Sequence, residues 1–192
     1  PAGPSHRWAA PRRPAAQRVQ VVYRGSIFSV KQYDIPLANG GIVTREIAER
    51  PDSVLVLPLG QQGTILMIEE PDLAVDVWQL RLPGGRVASS SPQALVEQAQ
   101  RELREETGYR AGSLQRFLSC YGHPGYVSHR VHLFVASDLE WDPLELEAGE
   151  EIRVRTLPLA EALAATRQDY RCDPEAALAL WLYAGQHLLA TR

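Results

Sequence analysis

Three glutamates lie at the end of a segment whose apolar residues recur with helical spacing. The segment spans residues 92–107, and one of its faces is marked by Leu95, Ala99 and Leu103. At about 100° per residue, Glu106 returns to the line of that face, Glu102 lies beside it and Glu105 flanks Glu102. Like charges four residues apart repel, and partly buried anions are costly without a compensating charge. The pattern therefore predicts a cation close to this face of the helix.

Two kinds of cation could compensate these carboxylates. Arg101 and Arg104 are close in sequence and could form ion pairs with some of the glutamates. A divalent cation such as Mg²⁺ or Mn²⁺ is the other candidate, because it prefers clustered carboxylates with backbone oxygens and water. A charged helix end that is merely solvated is a third interpretation. The preceding Gly84-Gly85 turn favours a binding site, since glycines let bare backbone come close to a ligand.

The helix that carries the glutamates has recognisable ends. Ser91 is a suitable N-cap, Pro92 fits the first helical position, and Gly108 lies where a left-handed C-terminal cap belongs. We therefore expect a helix over residues 92–107.

Segments rich in β-branched and aromatic residues precede and follow this helix. They predict strands at Val19–Tyr23, Ser26–Ile35, Ile42–Ala48, Ser53–Leu59, Thr64–Ile68, Trp78–Leu82, Leu114–Tyr121, Arg130–Ser137 and Ile152–Leu157. Further helices are predicted over Leu159–Thr166 and from Asp173 to about Leu189. This order predicts an α/β protein in which a mixed sheet is sandwiched by helices.

The chain divides by composition into three segments. Residues 1–17 are rich in Pro, Ala and Arg, contain no acid, and are predicted to form a tail. Residues 18–50 are predicted to form a small antiparallel β unit, with a turn at Asn39-Gly40-Gly41. Residues 51–192 hold the helix, the glutamates and the remaining strands, and form the main domain.

The glycine turn and the helix together resemble the Nudix box. Residues 82–85 read Leu-Pro-Gly-Gly, and residues 101–108 read Arg-Glu-Leu-Arg-Glu-Glu-Thr-Gly, which contains the complete R-E-x-x-E-E-x-G core of that motif. The resemblance implies a Nudix-type α/β/α sandwich and a hydrolase that cuts a diphosphate linkage with the help of Mg²⁺, Mn²⁺ being possible.

The rest of the chain, over about residues 20–190, resembles the ADP-ribose pyrophosphatase branch of that family. The matching segments are residues 23–28, 43–46, 124–126 and 149–154. The resemblance implies a nucleoside diphosphate sugar as substrate, with a nucleoside monophosphate and a sugar phosphate as products. It also implies a homodimer that is built in part by the N-terminal β unit.

The resemblance implies roles for individual residues. The metal would be held by Glu102, Glu106, the Gly84 carbonyl and Glu105, the last directly or through water. Arg101 would keep the helix geometry by pairing with a neighbouring carboxylate. Glu150, or after it Glu151, would be the base that arrives from a mobile loop. Substrate contacts are expected from Phe28, Arg45, Glu46, Gly125 and His129.

The sequence departs from the family pattern around this core. Gly85 precedes Arg101 by sixteen residues, about two more than the family spacing. At five places the residue differs from the one that the family usually has there. Glu69-Glu70-Pro71 replaces Gln-Tyr-Arg, Arg81 and Gln93 each replace a glutamate, Tyr109 replaces an aliphatic residue, and His129 replaces an acid. His129 could be a metal ligand, a phosphate donor or a surface residue. Because arginine binds phosphate and glutamate opposes it, these changes predict an altered substrate preference.

The composition narrows the function classes. The net charge of −3 provides no field that favours nucleic acid or an anionic membrane. No apolar run is long enough to span a membrane and no signal peptide is visible, so a cytoplasmic protein is expected. Cys120 and Cys172 have no metal-ligand spacing and are predicted to be reduced thiols.

Two alternatives to a nucleotide-sugar hydrolase remain open. One is a non-catalytic Nudix module that senses nucleotide sugars or binds other proteins, although such a module has no need for clustered acids. The other is a hydrolase of a different nucleotide pyrophosphate, against which the N-terminal β unit argues.

Overall fold

The computed structural model describes residues 15–190, with side chains described as far as residue 186. The chain divides into two compact units on either side of the bond between Arg50 and Pro51. The tail predicted over residues 1–17 lies outside the described residues except for its last three positions.

The first unit is an antiparallel sheet of three strands. They are β1 (Arg18–Arg24), β2 (Ser29–Pro36) and β3 (Ile42–Glu49), with β1 paired to β2 and β2 paired to β3. The turn between β2 and β3 contains Gly40 at a φ of 81°, a backbone conformation that favours glycine. The second strand begins three residues later than the sequence predicts, because the Gly25 N–H donates to the Phe28 carbonyl and turns the chain there.

Over residues 51–190, the second unit contains eight strands and three α-helices. The strands are β4 (Ser53–Pro58), β5 (Thr64–Asp72), β6 (Val77–Arg81), β7 (Gly84–Arg86), β8 (Tyr109–Tyr121), β9 (Val127–Ser128), β10 (Arg130–Trp141) and β11 (Arg153–Pro158). The helices are α1 (Pro92–Thr107), α2 (Leu159–Ala165) and α3 (Pro174–Ala190). A four-stranded mixed sheet has the order β7-β4-β10-β8, with β4 and β10 parallel, and a three-stranded antiparallel sheet has the order β11-β5-β6.

Alternating residues of the central strands pack into two separate cores. On β4, Val54 and Val56 face α1 and contact Leu95, Ala99 and Leu103 of that helix. Leu57 faces the other way and packs in a core with Ile65 and Met67 of β5 and with buried residues of α2 and α3, among them Ala162, Ala179 and Leu180. The period-two alternation of a strand buried on both faces explains this division. The α/β/α sandwich is confirmed, although its strands form two sheets in place of the one expected.

Helix α1 has the predicted bounds because its caps satisfy the exposed backbone groups at both ends. The Ser91 hydroxyl accepts from the Ala94 N–H, and Pro92 occupies the first turn. Gly108 has a φ of 80° and donates its N–H to the Arg104 carbonyl. The Cβ of any other residue at position 108 would overlap the Trp141 ring.

Among the described helices, none is both long and apolar enough to cross a membrane. Both cysteines are free thiols and are half-buried.

Candidate metal and active site

Strand β7 places the two glycines of the turn between β4 and α1. Gly84 pairs with Leu55 and Gly85 pairs with Val54 in the antiparallel ladder with β4. A Cβ at Gly84 would overlap the Val54 carbonyl, and a Cβ at Gly85 would overlap the Glu102 carboxylate. Close approach of the β4 backbone therefore requires glycine at position 84, and Gly85 leaves space for a carboxylate of α1 against the bare backbone.

Glu106 is the most buried carboxylate of the cluster. It is 7% exposed, and its Oε2 accepts from the Gly84 N–H at 2.8 Å. Burial raises the pKa of Glu106 to about 9, and the negative charges of Glu102, Glu70 and Glu150 act in the same direction. In the metal-free protein this carboxyl group is thus protonated at neutral pH.

Glu102 lies beside Gly85 and is half-buried. Its Oε1 accepts from the Gln98 side-chain amide at 2.7 Å. Burial raises the pKa of Glu102, and Glu105 and Glu147 raise it further by repulsion. The sequence analysis missed Gln98, which lies one turn before Glu102 on the same face of α1.

Glu105 is held by Arg101, as the resemblance implies. The Arg101 Nε donates to the Glu105 Oε1 at 2.8 Å, and a second Arg101 nitrogen lies 3.5 Å from Glu147. The other carboxylate oxygen of Glu105, Oε2, is buried and has no hydrogen-bond partner. A buried oxygen without a donor is costly, and a cation would satisfy it.

Both candidate bases are exposed, and the charge of Glu150 acts on Glu102 and Glu106 of the cluster. Burial raises the pKa of Glu150, and the carboxylates of Glu147, Glu70 and Glu105 raise it further. Its N–H donates to the Glu147 carbonyl in the loop before β11. Glu151 is exposed and lies 3.5 Å from the Arg153 guanidinium.

The donor set fits a hard divalent cation, but the side chains are not arranged around one point. Within the described part of the chain, no three side chains of His, Cys, Asp or Glu converge in a way that could hold a metal ion. Each carboxylate of the cluster instead has a local partner, the Gly84 N–H for Glu106, Gln98 for Glu102 and Arg101 for Glu105. The unpaired Glu105 oxygen and the raised pKa of Glu106 both show a deficit of positive charge.

Two departures from the family pattern compensate each other. The Arg81 guanidinium forms ion pairs with Glu70 and Asp72 of the neighbouring strand β5. Where the family pattern has an arginine on β5, this chain has its arginine at position 81 on β6. The positive charge of Arg81 compensates the glutamate at position 70. At Gln93, the side-chain amide donates to Glu97 at 2.8 Å, and both of these residues are exposed, away from the buried carboxylates.

The remaining residues predicted to contact substrate lie in different places. The His129 Nε2 is 2.9 Å from the Ser53 hydroxyl at the start of β4. Gly125 lies in an exposed loop, with no atom within 4 Å of the position that a Cβ would take. In the N-terminal unit, Phe28 packs against Tyr23 with ring centroids 5.6 Å apart, and Arg45 and Glu46 are exposed on β3.

Comparison with known proteins identifies the family of this chain. The model of the NUDIX domain family matches residues 49–176. The chain is 29% identical over 161 residues to an ADP-ribose pyrophosphatase of Bacillus subtilis, covering 83% of this chain and 86% of that one. It is 30% identical over 147 residues to a GDP-mannose pyrophosphatase of Pectobacterium atrosepticum, covering 69% of this chain and 73% of that one.

A solved structure shares the fold. The crystal structure of an ADP compounds hydrolase superposes with a TM-score of 0.81 at 24% identity, covering 93% of this chain and 96% of the other. The family match spans the glycine turn, the helix with its glutamates and the loop that carries Glu150. This chain is a member of the Nudix hydrolase family.

Proposed function

We propose that this protein hydrolyses the diphosphate linkage of a nucleoside diphosphate sugar with the help of Mg²⁺ or Mn²⁺. The observation that carries the proposal is the buried Glu106, whose carboxyl group lies near other carboxylates and, among the described residues, has the Gly84 N–H as its one hydrogen-bond partner. Such a group is costly unless a cation joins it. The names of the relatives, which act on ADP-ribose and GDP-mannose, support the substrate class.

Glu102, Glu105, Glu106 and the Gly84 carbonyl would hold the cation. When bound, it would neutralise phosphate charge and make a water molecule more acidic. The chain contributes a fixed geometry, because α1 is capped at both ends and Gly85 lets Glu102 lie against the backbone. Arg101 orients Glu105, and its contact with Glu147 links the helix to the loop that carries Glu150.

Glu150 would accept the proton of the attacking water. Its pKa is raised by burial and by neighbouring carboxylates, so its carboxylate accepts a proton more readily than that of an isolated glutamate. Glu151, which pairs with Arg153, is the weaker candidate for this role.

Substrate contacts outside the phosphates are proposed for Phe28, Arg45, Glu46, Gly125 and His129. The Phe28 ring could stack on a base or pack against a ribose. His129 is already engaged by Ser53, so it would reach a ligand after its side chain rotates.

A substrate screen tests the proposal directly. ADP-ribose and GDP-mannose would be offered with Mg²⁺, with Mn²⁺ and with a chelator, and released phosphomonoesters would be measured. We expect release from at least one nucleoside diphosphate sugar, only when a divalent cation is present. Because Arg81 is occupied by two carboxylates, we expect ADP-ribose not to be the best substrate. Binding without release in either metal would support the non-catalytic alternative.

The N-terminal unit is proposed to form a homodimer with a second copy of the chain. Its three strands and turns expose large apolar side chains, among them Val19, Tyr23, Ile27 and Ile42, which are 51 to 60% exposed. Exposed apolar side chains on a small sheet favour packing against another surface. Light scattering at micromolar concentration should give twice the chain mass of 21.3 kDa, and the mass of a single chain would contradict the proposal.

A further inference from the structure

Two glutamine–glutamate pairs of the same kind lie on helix α1. In each pair the glutamine amide donates to the carboxylate four residues later, from Gln93 to Glu97 at 2.8 Å and from Gln98 to Glu102 at 2.7 Å. Both side chains of the first pair are exposed, whereas both side chains of the second are half-buried. An exposed pair of this type adds a little to the stability of the helix and has no other neighbour to orient. The second pair has such a neighbour, because it lies against the glycine turn.

Gln98 lies on the side of α1 that faces the sheet. Leu95, three residues before it, is buried in the core with Val54 and Val56 of β4, and Glu102 follows Gln98 one turn later. A carboxylate can only accept hydrogen bonds, so the amide nitrogen of Gln98 must face Glu102. This bond restricts the rotation of the Glu102 side chain and holds its Oε1 in place.

The two carboxylate oxygens of Glu102 have different surroundings. Oε1 accepts from the Gln98 amide, and it is the nearer of the two to the position that a Cβ at Gly85 would take. It is thus enclosed between the amide and the bare backbone of β7. Oε2 lies farther from Gly85 and takes no part in the bond with Gln98. One oxygen of Glu102 is therefore occupied by the protein, and the other is left for a ligand.

We propose that Gln98 is a positioning residue that leaves one oxygen of Glu102 to the cation and thereby favours Mg²⁺ or Mn²⁺ over Ca²⁺. A hydrogen bond to a ligating carboxylate sets its orientation toward a metal. Mg²⁺ and Mn²⁺ favour octahedral sites, whereas Ca²⁺ takes more ligands and often both oxygens of one carboxylate. By holding Oε1, Gln98 withholds the second oxygen from the larger ion. This inference rests on the proposed function, because Glu102 is assigned to the cation there.

Calorimetric titration with Mn²⁺, without substrate and with or without competing Ca²⁺, tests the role of Gln98. The variant is Gln98→Met, which keeps the length of the side chain and removes its donor. Gln93→Met is the matched control, and Glu102→Gln is the reference for the metal site. We expect Gln98→Met to raise the Kd for Mn²⁺ about tenfold and the Kd for Ca²⁺ at least about threefold less than that, while Gln93→Met changes neither by more than about twofold. Thermal unfolding in a chelator checks that each variant is folded, and Gln98→Ala replaces Gln98→Met if that variant is not.

The outcomes separate this inference from the proposed function. If Glu102→Gln weakens Mn²⁺ binding and Ca²⁺ competes no better in Gln98→Met than in the wild type, the role of Gln98 is wrong while the metal site stands. Equal weakening of both ions in Gln98→Met would show that Gln98 acts only through the fold, and it would also overturn the inference. The same holds if Gln93→Met improves the competition by Ca²⁺ as much as Gln98→Met does, because the effect would then belong to the helix. If Glu102→Gln leaves Mn²⁺ binding unchanged, the proposed metal site itself fails.

Discussion

Two glutamates of this protein are equally buried and have opposite surroundings. Glu69 and Glu106 are each 7% exposed. Glu69 lies between the guanidinium groups of Arg155 and Arg171, so its charge is compensated by the protein. Glu106 has one backbone N–H and several carboxylates around it, and its pKa is raised to about 9.

The difference shows how burial alone fails to identify a functional acid. The charge of a buried carboxylate between two arginines is compensated by the protein, and removing it leaves two cations without their partner. The charge of a buried carboxylate among other carboxylates stays uncompensated unless a further positive charge binds there. We therefore assign Glu69 to the stability of the fold and Glu106 to the binding of a cation.

The largest expected effect is the loss of activity in Glu106→Gln. Removing a ligand of the proposed cation should lower kcat by about two orders of magnitude or more, because the cation supplies several kcal/mol of charge stabilisation. Released phosphomonoester in the presence of saturating Mg²⁺ is the readout. Glu97→Gln, a change at an exposed glutamate of the same helix, is the control and should keep normal turnover. Near-normal turnover in Glu106→Gln would contradict the assignment of Glu106 to the binding of a cation.

Gly85→Ala should cause the next largest effect. The added methyl group would overlap the Glu102 carboxylate and force that side chain away from the backbone. We expect about a tenfold loss of Mn²⁺ affinity, measured by titration. Gly185→Ala in α3, where a Cβ meets no atom within 4 Å, is the matched control. An unchanged affinity in Gly85→Ala would mean that the position of Glu102 is not important for the cation.

Glu69→Gln should alter stability more than activity. The neutral amide leaves Arg155 and Arg171 without their partner, and we expect a loss of about 1–2 kcal/mol in the free energy of unfolding. Urea denaturation measures this change, while kcat should remain within about threefold of the wild type. A variant of full stability and low activity would place Glu69 in the site and reverse the assignment.

The smallest expected effect is a slope in the stability of the metal-free protein with pH. Because the pKa of Glu106 is higher in the folded state than in the unfolded state, the folded protein holds a proton that the unfolded chain has lost. Stability therefore falls as the pH rises from about 4.5 toward about 9, by at most about 1.4 kcal/mol per pH unit. Burial also raises the pKa of Asp173, to about 7, so the comparison with Glu106→Gln isolates the contribution of Glu106. Equal slopes in the two proteins, measured in a chelator, would contradict the raised pKa.

Local sequence signals were sufficient to predict helix α1. Ser91, Pro92 and Gly108 each act on backbone groups within a few residues, so the bounds of α1 follow from the sequence alone. Helical periodicity is also a local signal, and it places Glu106 on the apolar face of α1. The burial of Glu106 in the structure agrees with this placement.

Features that depend on strand register could not be predicted in this way. The pairing of Arg81 with Glu70 requires the alignment of β5 with β6, which no local pattern encodes. The short strand β7 was missed because its Gly-Gly-Arg sequence has low strand propensity and is held by pairing with β4. Strand β10 continues four residues beyond its predicted end at Ser137, because its pairing with β8 extends to Trp141.

Proton release on Mn²⁺ binding tests most directly whether Glu106 binds a cation. Near pH 7.5 the metal-free carboxyl group is protonated, and a cation that binds there must displace that proton. Calorimetric titrations in buffers of different ionisation enthalpy give the number of protons released for each Mn²⁺ ion bound. We expect close to one proton for each ion in the wild-type protein. Tight binding of Mn²⁺ with no proton release would contradict the assignment of Glu106 to the cation.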